Sequence, residues 1–469
     1  MPSLRSLLPW LVGLTLGLLP LPLHAFTYYA VPSSGNTSNC VAARNIATPI
    51  STAQAGINCL APGDTLYLRA GTYSENPRIL YSMESTAAQP VLVAGYPGDA
   101  RPLILPPPGT VDSTTYAAIK IMGPGYVLDA YVTFKGIDID NINASSADND
   151  FGSTCILACM QHVTFDDITC MNSARDGIGG CGLPNNPSSD YLTVRNSRIL
   201  WSGRHQPTMF PEDTKGIGMY AGAAYALVEN NVFDGCRGGG FNVQYNNVHH
   251  SVYRNNLIKN VACDSKWGCI PYPGVDTHSH AISVGGTNIC PPESCPQQEG
   301  AADNQVYNNV VAHGHGSPTL VNDNCLNFWT NSTRTKVWNN TCYDFYNGIM
   351  TISAYMVDTY VQNNILANVV VGVNITNEGA VGPGSLVDFN LVNPNTTATF
   401  VNAAGDDFRL KAGSPAINAG TNATGVCSIV TTDIAGTTRC IGASIDAGAY
   451  EFGSGPPALP APTNLRIAP

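Results

Sequence analysis

Ala226–Gly235 reads ALVENNVFDG, and one repeat later Ser251–Asn260 reads SVYRNNLIKN. Six further stretches between Val132 and Asn368 carry the same phrase: VTFKGIDIDN, VTFDDITCMN, LTVRNSRILW, QVYNNVVAHG, KVWNNTCYDF and YVQNNILAN. Taking Phe134, Phe165, Val194, Val228, Tyr253, Tyr307, Trp338 and Val361 as equivalent gives separations of 31, 29, 34, 25, 54, 31 and 23 residues. Repeats of this length build solenoids, in which each unit buries its apolar face only against its neighbours. Two residues after each marker stand Gly136, Asp167, Asn196, Asn230, Asn255, Asn309, Asn340 and Asn363. These residue types tolerate positive φ, so each can turn a corner. Five residues after the marker, Ile139, Cys170, Ile199, Phe233, Ile258, Ala312, Tyr343 and Leu366 read as one inward layer of a continuous core.

A second strand-like run recurs between markers: DGIGG from Asp176, KGIGMY from Lys215, GFNVQY from Gly240, HAISVGG from His280, CLNFW from Cys325, GIMTIS from Gly348 and VGVNIT from Val371. Two or three short strands per coil, with Asn or Gly corners and hardly any helix, predict an all-β right-handed parallel β-helix. Leucine-rich spacing is absent, and propeller blades would need about four antiparallel strands each. Coils would lie about 4.8 Å apart, so equivalent Asn side chains would stack into a ladder.

With the repeated NN phrase, the opening segment AGINCLAPGDTLYLRAGTYSE and the closing segments DFRLKAGSPAINAG and IDAGAYEF, the chain resembles secreted right-handed β-helix proteins of the pectate-lyase-like superfamily over roughly Phe26 to Phe452. The resemblance implies the fold and a polysaccharide or cell-surface glycan as partner. It leaves the activity open among lyases, hydrolases, epimerases, tailspikes and catalytically silent surface proteins.

Residues 1–25 read as a signal peptide cleaved after Ala25, with one Arg, a Leu-rich stretch interrupted by prolines and a small residue at its end. The remainder reads as N-terminal cap and first coils (26–115), β-helix (116–376), C-terminal coils and cap (377–453) and a Pro-rich tail (454–469). The N-terminal cap is a helix over Ile50–Leu60, where apolar residues follow helical spacing. No second apolar run of spanning length follows, so the protein is expected to be monomeric, without a membrane span, and secreted or periplasmic. Without the leader, 21 basic side chains face 33 acidic ones, which argues against nucleic acid as a partner. Fifteen Cys fit an oxidising compartment. Pairs within loops are expected at Cys40 and Cys59, Cys263 and Cys269, Cys290 and Cys295, and Cys427 and Cys440. Cys155, Cys159, Cys170, Cys181, Cys236, Cys325 and Cys342 are candidates to link coils, and the odd count leaves one over.

Chemistry is expected on the outer face of the second strand set. If Ile217, Met219, Phe241, Val243, Ile282, Val284, Leu326 and Phe328 point inward, alternation turns Tyr220, Asn242, Gln244, Ser283, Asn327 and Trp329 outward. Aromatic faces stack on pyranose rings and amides meet hydroxyls, so Tyr220, Asn242, Gln244, Asn327 and Trp329 are the expected substrate-binding residues. Asp176, Lys215, Arg237 and His280 stand just before these strands. A lyase acting on a uronan needs a base for the proton beside the carboxylate and a cation for the enediolate. Lys215 fits the base, Arg237 the carboxylate clamp and His280 an alternative base or acid. A hydrolase would instead pair Asp176 with Asp213. A non-catalytic glycan-binding surface would show amides and aromatics without a convergent charged cluster. No cofactor is demanded; Asp138, Asp140, Asp166 and Asp167 form the acidic group that could hold Ca2+, and Cys263–Cys295 with His278 and His280 is the alternative zinc stretch.

Overall fold

A computed structural model describes residues 25–32, 37–80, 84–111, 117–123, 129–144, 154–183, 186–187, 189–203, 217–244, 248–261, 263–264, 268–269, 280–285, 301–314, 323–328, 333–351, 356–375, 381–440, 444–457 and 459. For 182–183, 186–187, 217, 244, 263–264, 268–269, 351 and 374–375 only the backbone is described.

The strands stack as parallel columns. One sheet holds 12 strands, from Thr27–Ala30 to Leu386–Asp388, and each pairs in register with the equivalent strand one coil away. A 19-stranded sheet holds two strand sets per coil, short strands such as Val232–Asp234 and longer ones such as Gly239–Gln244. The two sets fuse in the continuous strands Thr341–Thr351 and Ile365–Ile375. The chain is therefore a parallel β-helix, and the stack runs from Thr27, well before residue 116, to Val392.

The two asparagines of the repeated phrase divide the labour. The first takes the left-handed corner: Asn196, Asn230, Asn255, Asn308, Asn339 and Asn363 all have φ between 51° and 61°, and Asp167 at 55° and Gly136 at 64° do the same on the first coils of the repeat. The second points inward and forms the ladder. Asn231 Nδ2 donates to Asn256 Oδ1 at 3.0 Å, and the pattern continues from Asn256 to Asn309, Asn340, Asn364 and Asn390. Each Oδ1 also accepts the backbone N–H of the preceding ladder Asn, as Asn256 Oδ1 does from Asn231. Buried amides thus find all their partners within the ladder and the adjoining backbone.

Strand register corrects the repeat alignment at two coils. Val306 and Val337, not Tyr307 and Trp338, continue the column of Phe134, Phe165, Val194, Val228, Tyr253 and Val361. The corner residues there are Asn308 and Asn339, and the inward residues are Val311 and Cys342 rather than Ala312 and Tyr343. A one-residue slip moves a side chain to the other face. Tyr307 and Trp338 face outward and are apolar because Val426, Val430 and Ile445 cover them. Ala312 packs under Phe400 and Phe408 in the same way, and Tyr343 lies against Phe408.

Residues 394–440 and 444–457 lie along the side of the stack. The outward first asparagines hold it: Asn308 donates to Thr432 O at 2.7 Å and accepts from Arg439, Asn339 donates to Asp446 O, and Asn363 bonds both ways with Thr421. Lys259 and His313 meet Asp406 at 3.1 and 2.6 Å. At the other end a helix forms at Ala53–Ile57, shorter than the expected Ile50–Leu60, capped by Thr52 and by the Glu75 carboxylate on the N–H groups of Ala53 and Gln54. It buries Ala53, Gly56 and Ile57 in the core.

Disulfides join Cys40 to Cys59, Cys155 to Cys170, Cys159 to Cys181, Cys325 to Cys342 and Cys427 to Cys440. Cys236 remains a thiol, buried, donating toward Ile199 O. Cys263 and Cys269 face each other across an antiparallel pair, their side chains outside the description, and Cys290 and Cys295 lie outside the described residues. The 54-residue interval resolves into one coil with excursions, since Val252 pairs directly with Gln305. No described helix is long and apolar enough to cross a membrane.

Candidate functional site

The long strands build the expected outer face. Met219, Phe241, Ile282 and Leu326 occupy one inward column and Val243, Val284 and Phe328 the next, all in the core. Alternation therefore sends the residues between them outward. Tyr220, Asn242, Ser283 and Asn327 are strand partners in that order, so they form one polar column across four coils. The close approach of coils beside it requires glycine: a Cβ at Gly177, Gly218 or Gly240 would lie 2.5 Å from a carbonyl oxygen of the next coil.

Asn242 and Asn327 are buried, at 9% and 0% exposure. Asn327 Nδ2 donates to Ser283 Oγ at 3.3 Å. Among the described residues Asn242 Oδ1 and Asn327 Oδ1 have no hydrogen-bond partner. A buried amide oxygen left without a donor costs about 1–3 kcal/mol, so these two oxygens of the outward column call for donors beyond the described residues.

His280 stands at the start of its strand, in register with Gly239 and Asn324. It is buried, and its Nδ1 lies 2.9 Å from Asn324 Nδ2. Asn347 Nδ2 in turn donates to Asn324 Oδ1 at 2.7 Å. His280 thus heads a second polar ladder. Arg237 is also buried, with Nη1 donating to Gly203 O at 3.0 Å. Asp176 is buried and pairs with Arg175 Nε at 3.2 Å. Lys215, Asp213, Trp329 and His278 lie outside the described residues, and Gln244 is described by its backbone alone. The structure therefore unites Tyr220, Asn242 and Asn327, places His280 at the entrance of their strands, and engages Asp176 and Arg237 with neighbours of their own.

The acidic group proposed for Ca2+ is largely occupied by cations of the chain. Arg101 bridges Asp138 at 2.7 Å and Asp167 at 2.8 Å, while Asp166 meets Arg195 and Lys135. Asp140 accepts from Asn172 and from the Ile142 N–H. Among the described residues no group of three or more His, Cys, Asp or Glu could hold a metal.

A further column escaped the sequence reading. Tyr131, His162, Tyr191, Tyr225, His250, Asp303, Arg334 and Asp358 all have positive φ and all stand three residues before the corrected marker, an offset that could have revealed them. The first five rings stack at centroid distances of 4.1, 4.3, 4.9 and 5.2 Å. Beyond the rings, His250 Nε2 lies 3.7 Å from Asp303, and Asp303 pairs with Arg334 at 2.7 Å. Burial within the stack lowers the His162 pKa, opposed by Asp129 and Asp190.

No protein-family profile matches the chain, and no curated protein matches it in sequence. In three dimensions it is similar to the crystal structure of a pectate lyase, with a TM-score of 0.59 and 17% identity over 91% of this chain and 96% of that one. It is also similar to a rhamnogalacturonan lyase, with a TM-score of 0.52 and 12% identity over 83% and 94% of the two chains. At these identities the likeness speaks for the fold. Coil stack, ladder and strand columns agree with it: the chain has the parallel β-helix fold of the pectate-lyase-like proteins.

Proposed function

We propose that this is a polysaccharide-acting protein that lays an acidic glycan across the outer face of its long strands and cleaves it as a lyase. The observation that carries the reading is the column Tyr220, Asn242, Ser283 and Asn327, whose two buried amide oxygens lack donors among the described residues. Sugar hydroxyls are donors of the right kind, and the Tyr220 ring offers an apolar face to a pyranose. In the lyase reading Lys215 takes the proton beside the uronate carboxylate and Arg237 stabilises the enediolate that develops. His280, whose Nδ1 is engaged by Asn324, holds the entrance of the site and is the alternative acid or base.

The neutrality of the described column favours a second reading, a glycan-binding protein without catalysis. One experiment separates the two. The mature protein and its Lys215→Ala variant are incubated with a panel of uronans, following ultraviolet absorbance of the unsaturated product, reducing-end release and binding. The lyase reading expects absorbance that is lost in the variant while binding persists. Reducing ends without absorbance would make the protein a hydrolase, and binding with silence in both assays a binder.

A further inference from the structure

His280, Asn324 and Asn347 occupy one column on three successive coils, each in register with the next. All three are buried, at 3%, 0% and 1% exposure, so side chains rather than bulk water set the hydrogen bonds among them. Asn347 Nδ2 donates to Asn324 Oδ1 at 2.7 Å, and Asn324 Nδ2 stands 2.9 Å from His280 Nδ1. In the ladder of the repeated phrase each asparagine also bonds the backbone, as Asn309 does with the Asn256 N–H and Tyr253 O, and this pins the orientation of its amide. Asn324 differs. Among the described residues its side chain meets only His280 and Asn347, so the way its amide faces is decided by the neighbours on either side.

The direction of these bonds decides where the imidazole carries its proton. An amide nitrogen gives protons and accepts none, so the Nδ1 that faces it holds a lone pair. In a neutral ring the proton then sits on Nε2. A proton placed on Nδ1 would point at the amide N–H, and accommodating it requires Asn324 to turn its oxygen toward His280. Turned so, Asn324 sets its NH2 against the NH2 of Asn347, which must turn as well. The protonation site of His280 is thereby tied to an amide two coils away, about 10 Å along the stack. The ladder also runs beside the outer column, since His280 stands three residues before Ser283 and Asn324 three before Asn327.

We propose that Asn324 and Asn347 are positioning residues that hold His280 as the neutral Nε2–H form, and that His280 serves the glycan face as a hydrogen-bond donor and not as its base. The donor's role rests on the lyase reading of that face; the protonation site rests on the ladder alone. In a uronan lyase negative charge builds on the uronate group as the enediolate forms, and a neutral N–H aimed at it stabilises that charge without giving up its proton. Lys215 then stands as the base with no competitor at His280.

The test reads the protonation site directly. Nuclear magnetic resonance of the protein carrying isotope-labelled ring nitrogens in histidine separates protonated from unprotonated nitrogens, and His280→Gln identifies the His280 signals by their loss. Near neutral pH the wild type is expected to show Nε2 protonated and Nδ1 unprotonated. In Asn347→Asp the new carboxylate only accepts, so Asn324 must give it the NH2 and turn its oxygen to His280, and the proton is expected to move to Nδ1 although the substitution lies two coils from the ring. If that variant fails to fold, Asn324→Asp puts an acceptor directly at Nδ1 and carries the same expectation. Turnover of a uronan that the wild type cleaves is expected to fall about a hundredfold in either variant, the cost of one donor lost from a developing anion, with KM little changed. A wild-type His280 protonated on Nδ1, or a proton that stays on Nε2 in the variants, overturns the proposal. A proton that moves while turnover holds overturns the donor's role. A wild type that cleaves no uronan refutes the lyase reading and that role with it, while the spectra still decide the protonation site.

Discussion

Replacing one interior rung of the asparagine ladder tests whether the repeated NN phrase holds the coils together. Asn309 is fully buried. Its Oδ1 accepts from the Asn256 N–H at 3.1 Å and from Asn256 Nδ2 at 2.9 Å, and its Nδ2 donates to Tyr253 O and to Asn340 Oδ1, both at 2.9 Å. In Asn309→Ala, Asn256 Nδ2 keeps Val228 O and Asn340 Oδ1 keeps the residue 309 N–H. The Asn256 N–H loses its partner in a dry interior, while the Tyr253 C=O keeps its place in the strand ladder with Gln305–Tyr307. At about 1–3 kcal/mol for the stranded group, the variant should lose about 2 kcal/mol. For 469 residues, about 2.1 cal/mol/K per residue gives an unfolding entropy near 1 kcal/mol/K, so Tm should fall by about 2 °C in calorimetry if the stack melts as one unit. Solenoids also open locally, so the Asn256 amide should lose hydrogen-exchange protection before amides several coils away. The internal control is Asn390→Ala at the last rung. It has the same partners save the next rung but is only half-buried, so water can replace them, and the cost should be about 1 kcal/mol. Equal shifts for the two variants, or a shift below about 1 °C for Asn309→Ala, would refute the assignment of stability to the buried ladder.

Three other outcomes follow from particular contacts. Asp344 and Asp406 raise the pKa of His313 above its usual value, so its contribution to holding the C-terminal segment is complete below the unfolded-state pKa of about 6.5 and is lost as pH rises through the higher folded value; Tm should fall with pH across that window in the wild type and stay flat in His313→Asn. Arg439 is fully buried against Glu451 at 2.9 Å and bonds Asn308 and Gly448 O, so Arg439→Ala should cost about 3–5 kcal/mol, and limited proteolysis should show the segment from 394 to 457 released first. Asn327→Ala should weaken binding of a uronan oligosaccharide several-fold in calorimetric titration with only a small fall in Tm, because among the described residues its Oδ1 has no partner and its Nδ2 loses one long bond, 3.3 Å to Ser283 Oγ.

The fold was legible because a β-helix repeats its constraints. Each coil must turn at the same corner, which selects Asn, Asp or Gly for positive φ, and must satisfy the same buried amide, which selects the second Asn. The register slip at Tyr307 and Trp338 shows where that reasoning failed. Apolar character alone does not say which face is buried, and on those two coils both faces are, one by the core and one by Val426, Val430 and Ile445. The helix at Ala53–Ile57 came out shorter than its apolar spacing suggested, because Cys59 and Leu60 already belong to the turn that leads into the strand Thr65–Leu68.

The candidate site was less legible for the opposite reason. Along the outer column the residues run Gly179, Tyr220, Asn242, Ser283, Asn327 and Met350, with no side chain repeated on consecutive coils. A position whose partner lies on the next coil is selected to match that coil, and so becomes periodic. A position whose partner comes from outside is free to differ from coil to coil, and periodicity cannot reveal it. The stacked column from Tyr131 to His250 makes the contrast on the same molecule: its rings pack on one another, and it recurs at a constant three residues before the marker. Loss of repetition on an otherwise periodic rod, together with buried acceptors at Asn242 and Asn327 that no described residue satisfies, is therefore what the proposed glycan surface predicts.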